Sequence, residues 1–130
     1  MQTITITASE RSPDVEFNFD AGLLTLKGES YPEDVAAFYG PLLSALDQWL
    51  NSAPAEQAVQ LDIELVYFNS SSAKALMNLL LLLEKAGAAG RSVVVNWHYA
   101  SEDDTMQEFG EDFSEDLEHV TFNLCAVEEA

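Results

Sequence analysis

Residues 59–85 read VQLDIELVYFNSSSAKALMNLLLLLEK, and the change of period inside that stretch decides the fold. Val59, Leu61, Ile63, Leu65 and Tyr67 alternate with Gln60, Asp62 and Glu64. A period of two with one polar side is the pattern of a strand buried on one face. From about Ser71 to Ala86 the period turns helical. Ala73, Leu76, Leu79, Leu80 and Leu83 share one face, and Lys74, Asn78 and Lys85 share the other. Leu81 falls within the polar stripe, with Met77 and Leu82 at its edges. Between strand and helix stand Asn69, Ser70, Ser71 and Ser72, residue types that end strands and cap helices, so Asn69 or Ser70 is expected as the N-cap. The small residues Gly87 to Gly90 stop the helix.

Working outward, the same two periods recur. Val15–Phe19 and Leu23–Lys27 alternate around Asp20-Ala21-Gly22, a hairpin closed by Gly28. Ser30-Tyr31-Pro32-Glu33 reads as a helix start, with Ser30 as cap, proline in the first turn and Glu33 completing a capping box. Val35, Phe38, Tyr39, Leu42, Leu43, Leu46, Trp49 and Leu50 then keep helical spacing, with Pro41 expected to kink or weaken one turn. Val93, Val95, Trp97 and Tyr99 alternate with Val94, Asn96 and His98. Ser101-Glu-Asp-Asp104 opens a third helix with core positions Met106, Phe109, Phe113 and Leu117, and Val120, Phe122 and Leu124 form a last strand.

The chain is expected to be a single α/β (α+β) domain over residues 1–130, in the order β-β-α-β-α-β-α-β. Several strands have one polar face, so the helices should cover one side of a mixed sheet. The other side is left open, carrying Thr25, Lys27, Asp62, Glu64, Asn96 and His98. Residues 1–12 are either a short edge strand or a loose tail.

The 23 acids against 5 bases give a net charge of −18. Such a charge repels nucleic-acid backbones and anionic lipid surfaces, and it favours partners with basic patches. The lone Cys125 has no partner within the chain for a disulfide, and no Cys/His cluster has metal spacing. The first residues lack the pattern of a signal peptide, and the longest apolar run, Leu79 to Leu83, is far too short to span a bilayer. The expected compartment is the cytoplasm.

The middle helix starts without an acid, in a chain rich in them. A helix N-terminus has unpaired N–H groups and favours negative charge, so phosphate on a serine there is well placed. Ser70 is the first candidate for phosphorylation and Ser71 the second. Asn69, Ser71, Ser72, Lys74, Asn78, Leu81 and Lys85 are the candidate partner-binding residues, with Leu81 as an exposed docking side chain. The competing reading is a constitutive interaction module in which Ser70 only caps the helix. Enzyme chemistry is not expected. Ser70, His98 and Asp62 can be drawn as a triad, but no nucleophile elbow accompanies them. Glu102, Asp103, Asp104 and Glu108 lack the spacing of a calcium loop, and no Gly-rich phosphate loop or other cofactor motif is present.

Four blocks, Gly28-Glu-Ser-Tyr-Pro-Glu33, Tyr67-Phe-Asn-Ser-Ser-Ser-Ala-Lys74, Val95-Asn-Trp-His-Tyr99 and Asp103-Asp-Thr-Met-Gln-Glu-Phe-Gly-Glu-Asp112, occur in an order that resembles the SiaC regulatory phosphoproteins. The resemblance spans roughly residues 15–125 and extends to the STAS-type anti-sigma-factor antagonists in fold and logic. It implies a non-enzymatic partner switch. A histidine-kinase-like Ser/Thr kinase would phosphorylate the protein and a PP2C-type phosphatase would reverse this. The unphosphorylated form would bind and activate a diguanylate cyclase, raising cyclic di-GMP and promoting biofilm growth or aggregation. The family's phosphoacceptor, the threonine of an Asn-Thr-Ser-Ser block, falls on Ser70, so this chain departs from the pattern by carrying serine there.

Overall fold

Four parallel strands joined by three crossover helices form the frame, and an antiparallel hairpin extends it on one side. The computed structural model describes residues 3–128. In chain order the elements are β1 (Ile4–Ile6), β2 (Asp14–Asn18), β3 (Leu23–Ser30), α1 (Val35–Ser52), β4 (Val59–Phe68), α2 (Ser70–Ala88), β5 (Val93–Ala100), α3 (Asp104–Glu115) and β6 (Thr121–Val127). The sheet runs β1-β2-β3-β4-β5-β6, with β1 and β2 antiparallel and every pairing from β3 to β6 parallel. Each crossover steps the same way along the sheet, and such connections share one hand, so all three helices fall on one face. Within residues 1–12, the segment Ile4–Ile6 is a short edge strand paired with β2.

The core lies between the sheet and the helix layer. Phe17, Leu24, Leu26, Leu61, Ile63, Val95 and Trp97 meet Leu42, Leu46, Leu76, Leu80 and Leu83, all at most 1% exposed. The opposite face keeps Thr25, Asp62, Asn96 and His98 half-buried and Lys27 exposed. There Asp62 accepts hydrogen bonds from Gln60 and Asn96 at 2.9 Å and lies 3.2 Å from His98 Nε2. Partial burial works against its charge, but the bonds from Gln60, Asn96 and His98 outweigh that and hold the carboxyl below its ordinary value.

Three expectations about the chain's local structure need correction. Ser30 does not cap α1: it is the last residue of β3, and Asp34 caps the helix by accepting from the Ala37 amide. Proline at 32 biases Tyr31 toward extended backbone, which prolongs the strand and delays the helix. Likewise α3 is capped by Asp103, not opened by Ser101, and Leu117 is buried just beyond its end. The third concerns Tyr67. The β3–β4 register shifts between Gly28 and Glu29, so that Gly28 faces Leu65 but Glu29 faces Tyr67, and Val66 is the extra residue of a bulge. Gly28, with φ of 118°, supplies the backbone this needs. The phase of β4 therefore slips: Leu65 and Phe68 are buried, and Val66 and Tyr67 are 64% and 51% exposed. Helix α1, by contrast, runs unbroken through Pro41.

Two long-range ties fix the far ends of the helices. The Arg91 guanidinium donates to the carbonyls of Leu50, Ala53, Pro54 and Gln57 and lies 5.8 Å from the Trp49 ring centroid, closing the C-terminal end of α1. Glu84 of α2 accepts from the amides of Glu118 and His119 at 2.9 and 2.7 Å, and its second oxygen lies 2.6 Å from His119 Nδ1. The bond with His119, followed by the backbone amide, holds the Glu84 carboxyl below its ordinary value, and the same bond holds His119 above its own. The raised imidazole contributes fully below its unfolded pKa of about 6.5 and loses its contribution as pH rises through the folded value. The depressed carboxyl contributes above its unfolded pKa of about 4.3 and loses its part as pH falls through the folded value. The clamp is therefore strongest between about pH 4.5 and 6.5. The gap in urea midpoint between the wild type and Glu84→Gln should be widest in that window. It should narrow by pH 8 without vanishing, because the two amide bonds to a charged acceptor remain. A gap that widens toward pH 8 would contradict the pairing.

Candidate functional site

The N-terminus of α2 is built by three layers of contacts. Asn69 has extended backbone, and its side-chain oxygen accepts from the Ser72 amide at 2.9 Å, so Asn69 is the N-cap. Its own amide donates to the Ser30 carbonyl, which pins the start of α2 to the end of β3. Ser70 is thus the first helical residue and is exposed. The reading in which Ser70 only caps the helix is corrected by this geometry, since Asn69 already does that work.

The three serines differ sharply in environment. Ser70 and Ser71 are exposed, whereas Ser72 is 0% exposed. Ser72 accepts a hydrogen bond from Ser30 Oγ at 2.9 Å, and Ser30 Oγ lies 2.5 Å from the Tyr39 hydroxyl. With the Ser30 proton committed to Ser72, the Tyr39 hydroxyl donates to Ser30. All three side chains are buried, and burial pushes the Tyr39 phenol up. This chain of hydroxyls joins α1, β3 and α2 inside the core. Ser72 is therefore removed from the expected partner-binding surface: its position, in register with Leu76 and Leu83, turns it inward.

The remaining stripe faces out as its spacing requires. Lys74, Asn78, Leu81 and Lys85 are all exposed, Leu81 at 45%. Asn78 and Leu81 line a shallow groove together with Leu82 of α2 and Leu43, Ser44 and Asp47 of α1. Lys85 lines its continuation, which ends at Arg91.

Sequence reasoning missed the exposed apolar pair that precedes the N-cap in the chain. Val66 and Tyr67 are turned out by the bulge, and the Tyr31 ring packs edge-on against Tyr67 with centroids 5.6 Å apart. A signal was present, because Leu65-Val66-Tyr67-Phe68 is four apolar residues in a row and a regular strand cannot bury them all on one face. The contrast in charge between the helix starts also takes a modified form. Asp34 caps α1, and α3 has Asp103 as cap and Asp104 in its first turn, but α2 has a neutral cap and no acid in its first turn. Ser70 and the Asp62–His98 pair do not come together as a triad: Ser70 belongs to the helix layer past the end of β4, and Asp62 and His98 lie on the open sheet face.

Comparison with known proteins bears on this site. The family model described as SiaC family regulatory phosphoprotein matches residues 6–127. An uncharacterized protein of Pseudomonas aeruginosa strain UCBPP-PA14 is 34% identical over 116 residues, covering 89% of this chain and 90% of that one. Among solved structures, apo-SiaC from Pseudomonas aeruginosa superposes with a TM-score of 0.88 at 32% identity, over 97% of this chain and 100% of that one. A structure of the diguanylate cyclase SiaD in complex with its activator SiaC, from the same organism, gives a TM-score of 0.89 at 32% identity, over 95% and 99% of the two chains.

Proposed function

This chain belongs to the SiaC family of regulatory phosphoproteins, and from that premise we propose that it is a non-catalytic partner switch controlled by phosphorylation of Ser70. In the unphosphorylated state it binds and activates a diguanylate cyclase in the cytoplasm; the solved complex of the diguanylate cyclase SiaD with its activator SiaC supports the choice of partner. A Ser/Thr kinase adds the phosphate and a PP2C-type phosphatase removes it. The observation that carries the reading is the setting of Ser70: an exposed hydroxyl in the first turn of an acid-free helix start, with capping assigned to Asn69.

The mechanism is local. The docking surface comprises the Ser70–Ser71 turn and the outward stripe Lys74, Asn78, Leu81 and Lys85. A phosphate brings roughly −1.5 to −2 charge to neutral pH and three strong acceptors, which the helix N-terminus tolerates. A partner surface fitted to a small hydroxyl and to exposed apolar side chains has no counter-charge for it, so the complex loses affinity while the fold persists.

The test compares protein carrying phosphoserine only at Ser70 with unmodified protein, against the diguanylate cyclase of the same host. Affinity should fall by at least about 100-fold, close to 2.7 kcal/mol, and cyclase stimulation should fall with it. Equal affinity of the two forms would reduce the chain to a constitutive interaction module. Lack of binding by either form would remove the cyclase from the scheme.

A further inference from the structure

The unpaired outer edge of β6 is, we propose, a strand-addition site for an extended basic segment of a partner protein. Among the described residues β6 is the last strand of the sheet, with β5 on one side and nothing paired on the other. Natural sheets protect such edges with short strands, lysine, proline or bulges. The opposite edge follows that rule, since β1 is three residues long. The β6 edge does not. It is seven residues, Thr121-Phe-Asn-Leu-Cys-Ala-Val127, with no charge and no proline, and it pairs with β5 in unbroken register from Val94–Thr121 to Ala100–Val127. It therefore offers a straight row of free main-chain donors and acceptors, the feature that peptide recognition by strand addition uses. The register places Leu124 beside Trp97 on the helix side and Val127 beside Ala100 on the open side, and both are 39% exposed. An added strand would cover them.

Charge selects the occupant. Eleven of the 23 acids and none of the five Lys and Arg residues lie after Arg91. Nine of those acids fall between Glu102 and Glu118, on and around α3, which packs over β5 and β6. A second copy paired edge to edge would bring two such acidic borders together and is disfavoured by their repulsion. A segment that alternates apolar residues with Lys or Arg satisfies the edge, sets its apolar side chains beside Val127 on the open side, and lays its basic side chains over Leu124 toward the acidic border of α3 on the helix side. The site is separate from Ser70 and does not depend on the partner-switch reading.

A short peptide of alternating lysine and valine, titrated into the full chain while backbone amide spectra are recorded, tests this. Shifts should concentrate on Thr121–Val127. The same peptide N-methylated at every residue, which keeps the charge but removes the main-chain donors, should bind at least about 10-fold more weakly, and alternating glutamate and valine should not bind. Equal binding of the N-methylated peptide would show mere charge attraction and overturn strand addition. So would shifts confined to residues outside β6, or no shift at about 1 mM peptide. Self-association through β6 without peptide would assign the edge to a second copy and equally overturn the proposal.

Discussion

Ser72→Asp should lower unfolding stability by about 3–5 kcal/mol, the usual cost of an uncompensated charge inside a protein. Ser70→Asp and Ser71→Asp should stay within about 0.5 kcal/mol of the wild type. The three positions are consecutive, so composition and chain location are constant and only environment differs. Ser70 and Ser71 face solvent at a helix N-terminus, where a carboxylate is favoured by the dipole. At Ser72 the new group would replace a hydroxyl that is 0% exposed and accepts from Ser30 in a chain with Tyr39. Ser30 offers one donor, too little for a carboxylate stripped of water. Urea unfolding of the three variants decides the matter. A Ser72→Asp protein as stable as the wild type would mean that the hydroxyl chain is open to water. The outcome also bears on the kinase: a serine whose modification requires unfolding is a poor acceptor, which leaves Ser70 and Ser71.

Much of this arrangement was legible in the sequence, and the exceptions have physical causes. Strand and helix identity followed from periods of two and 3.6, because one-sided burial writes them into the chain. The outward position of Lys74, Asn78, Leu81 and Lys85 followed for the same reason. The burial of Ser72 was also readable, since it lies four and seven residues before Leu76 and Leu79, both in the core. Its polar character masked that position, and the partners that make burial tolerable, Ser30 and Tyr39, come from other elements. No local pattern announces such a long-range hydrogen bond. The start of α1 was misread because Ser30-x-x-Glu33 imitates a capping box, and the deciding term was the extended backbone that Pro32 favours at Tyr31. Tyr67 was misassigned because alternation assumes a regular ladder, and one bulge reverses every later side chain.

That bulge links fold to function. Without Val66 as an extra residue, Tyr67 would point into the core and Phe68 out, and Asn69 would leave the sheet on the wrong face to cap α2. With it, Phe68 is inserted among Trp97, Phe109 and Phe113, at ring-centroid distances of 6.1, 4.7 and 6.3 Å. The aromatic cluster under α3 therefore holds the residue that immediately precedes the N-cap. The position of Ser70 depends on packing in the C-terminal third of the chain.

Gly110→Val should expose that dependence and cost about 3 kcal/mol, combining overpacking with a lost buried hydrogen bond. A Cβ at Gly110 would meet Leu124 Cδ2 and Trp97 Cδ1 at 2.6 Å and Trp97 Nε1 at 2.8 Å. Leu124 is partly exposed and its side chain can turn away. Trp97 cannot: it is 0% exposed, its indole N–H donates to the Met106 carbonyl at 2.9 Å, and its ring packs against Phe68, Phe113 and Phe122. Moving the indole breaks that bond and pushes on Phe68. Gly110→Ala should fall between, since the gain of up to about 1 kcal/mol in helix propensity offsets part of the clash. The measurement is a urea midpoint together with amide shifts. The variant should lose midpoint with an unchanged slope, and the shift changes should run from α3 through Phe68 to Asn69 and Ser70. Changes that stop at α3 and β6 would mean that Asn69 is positioned by its bond to the Ser30 carbonyl alone, with the aromatic cluster serving stability and not the site.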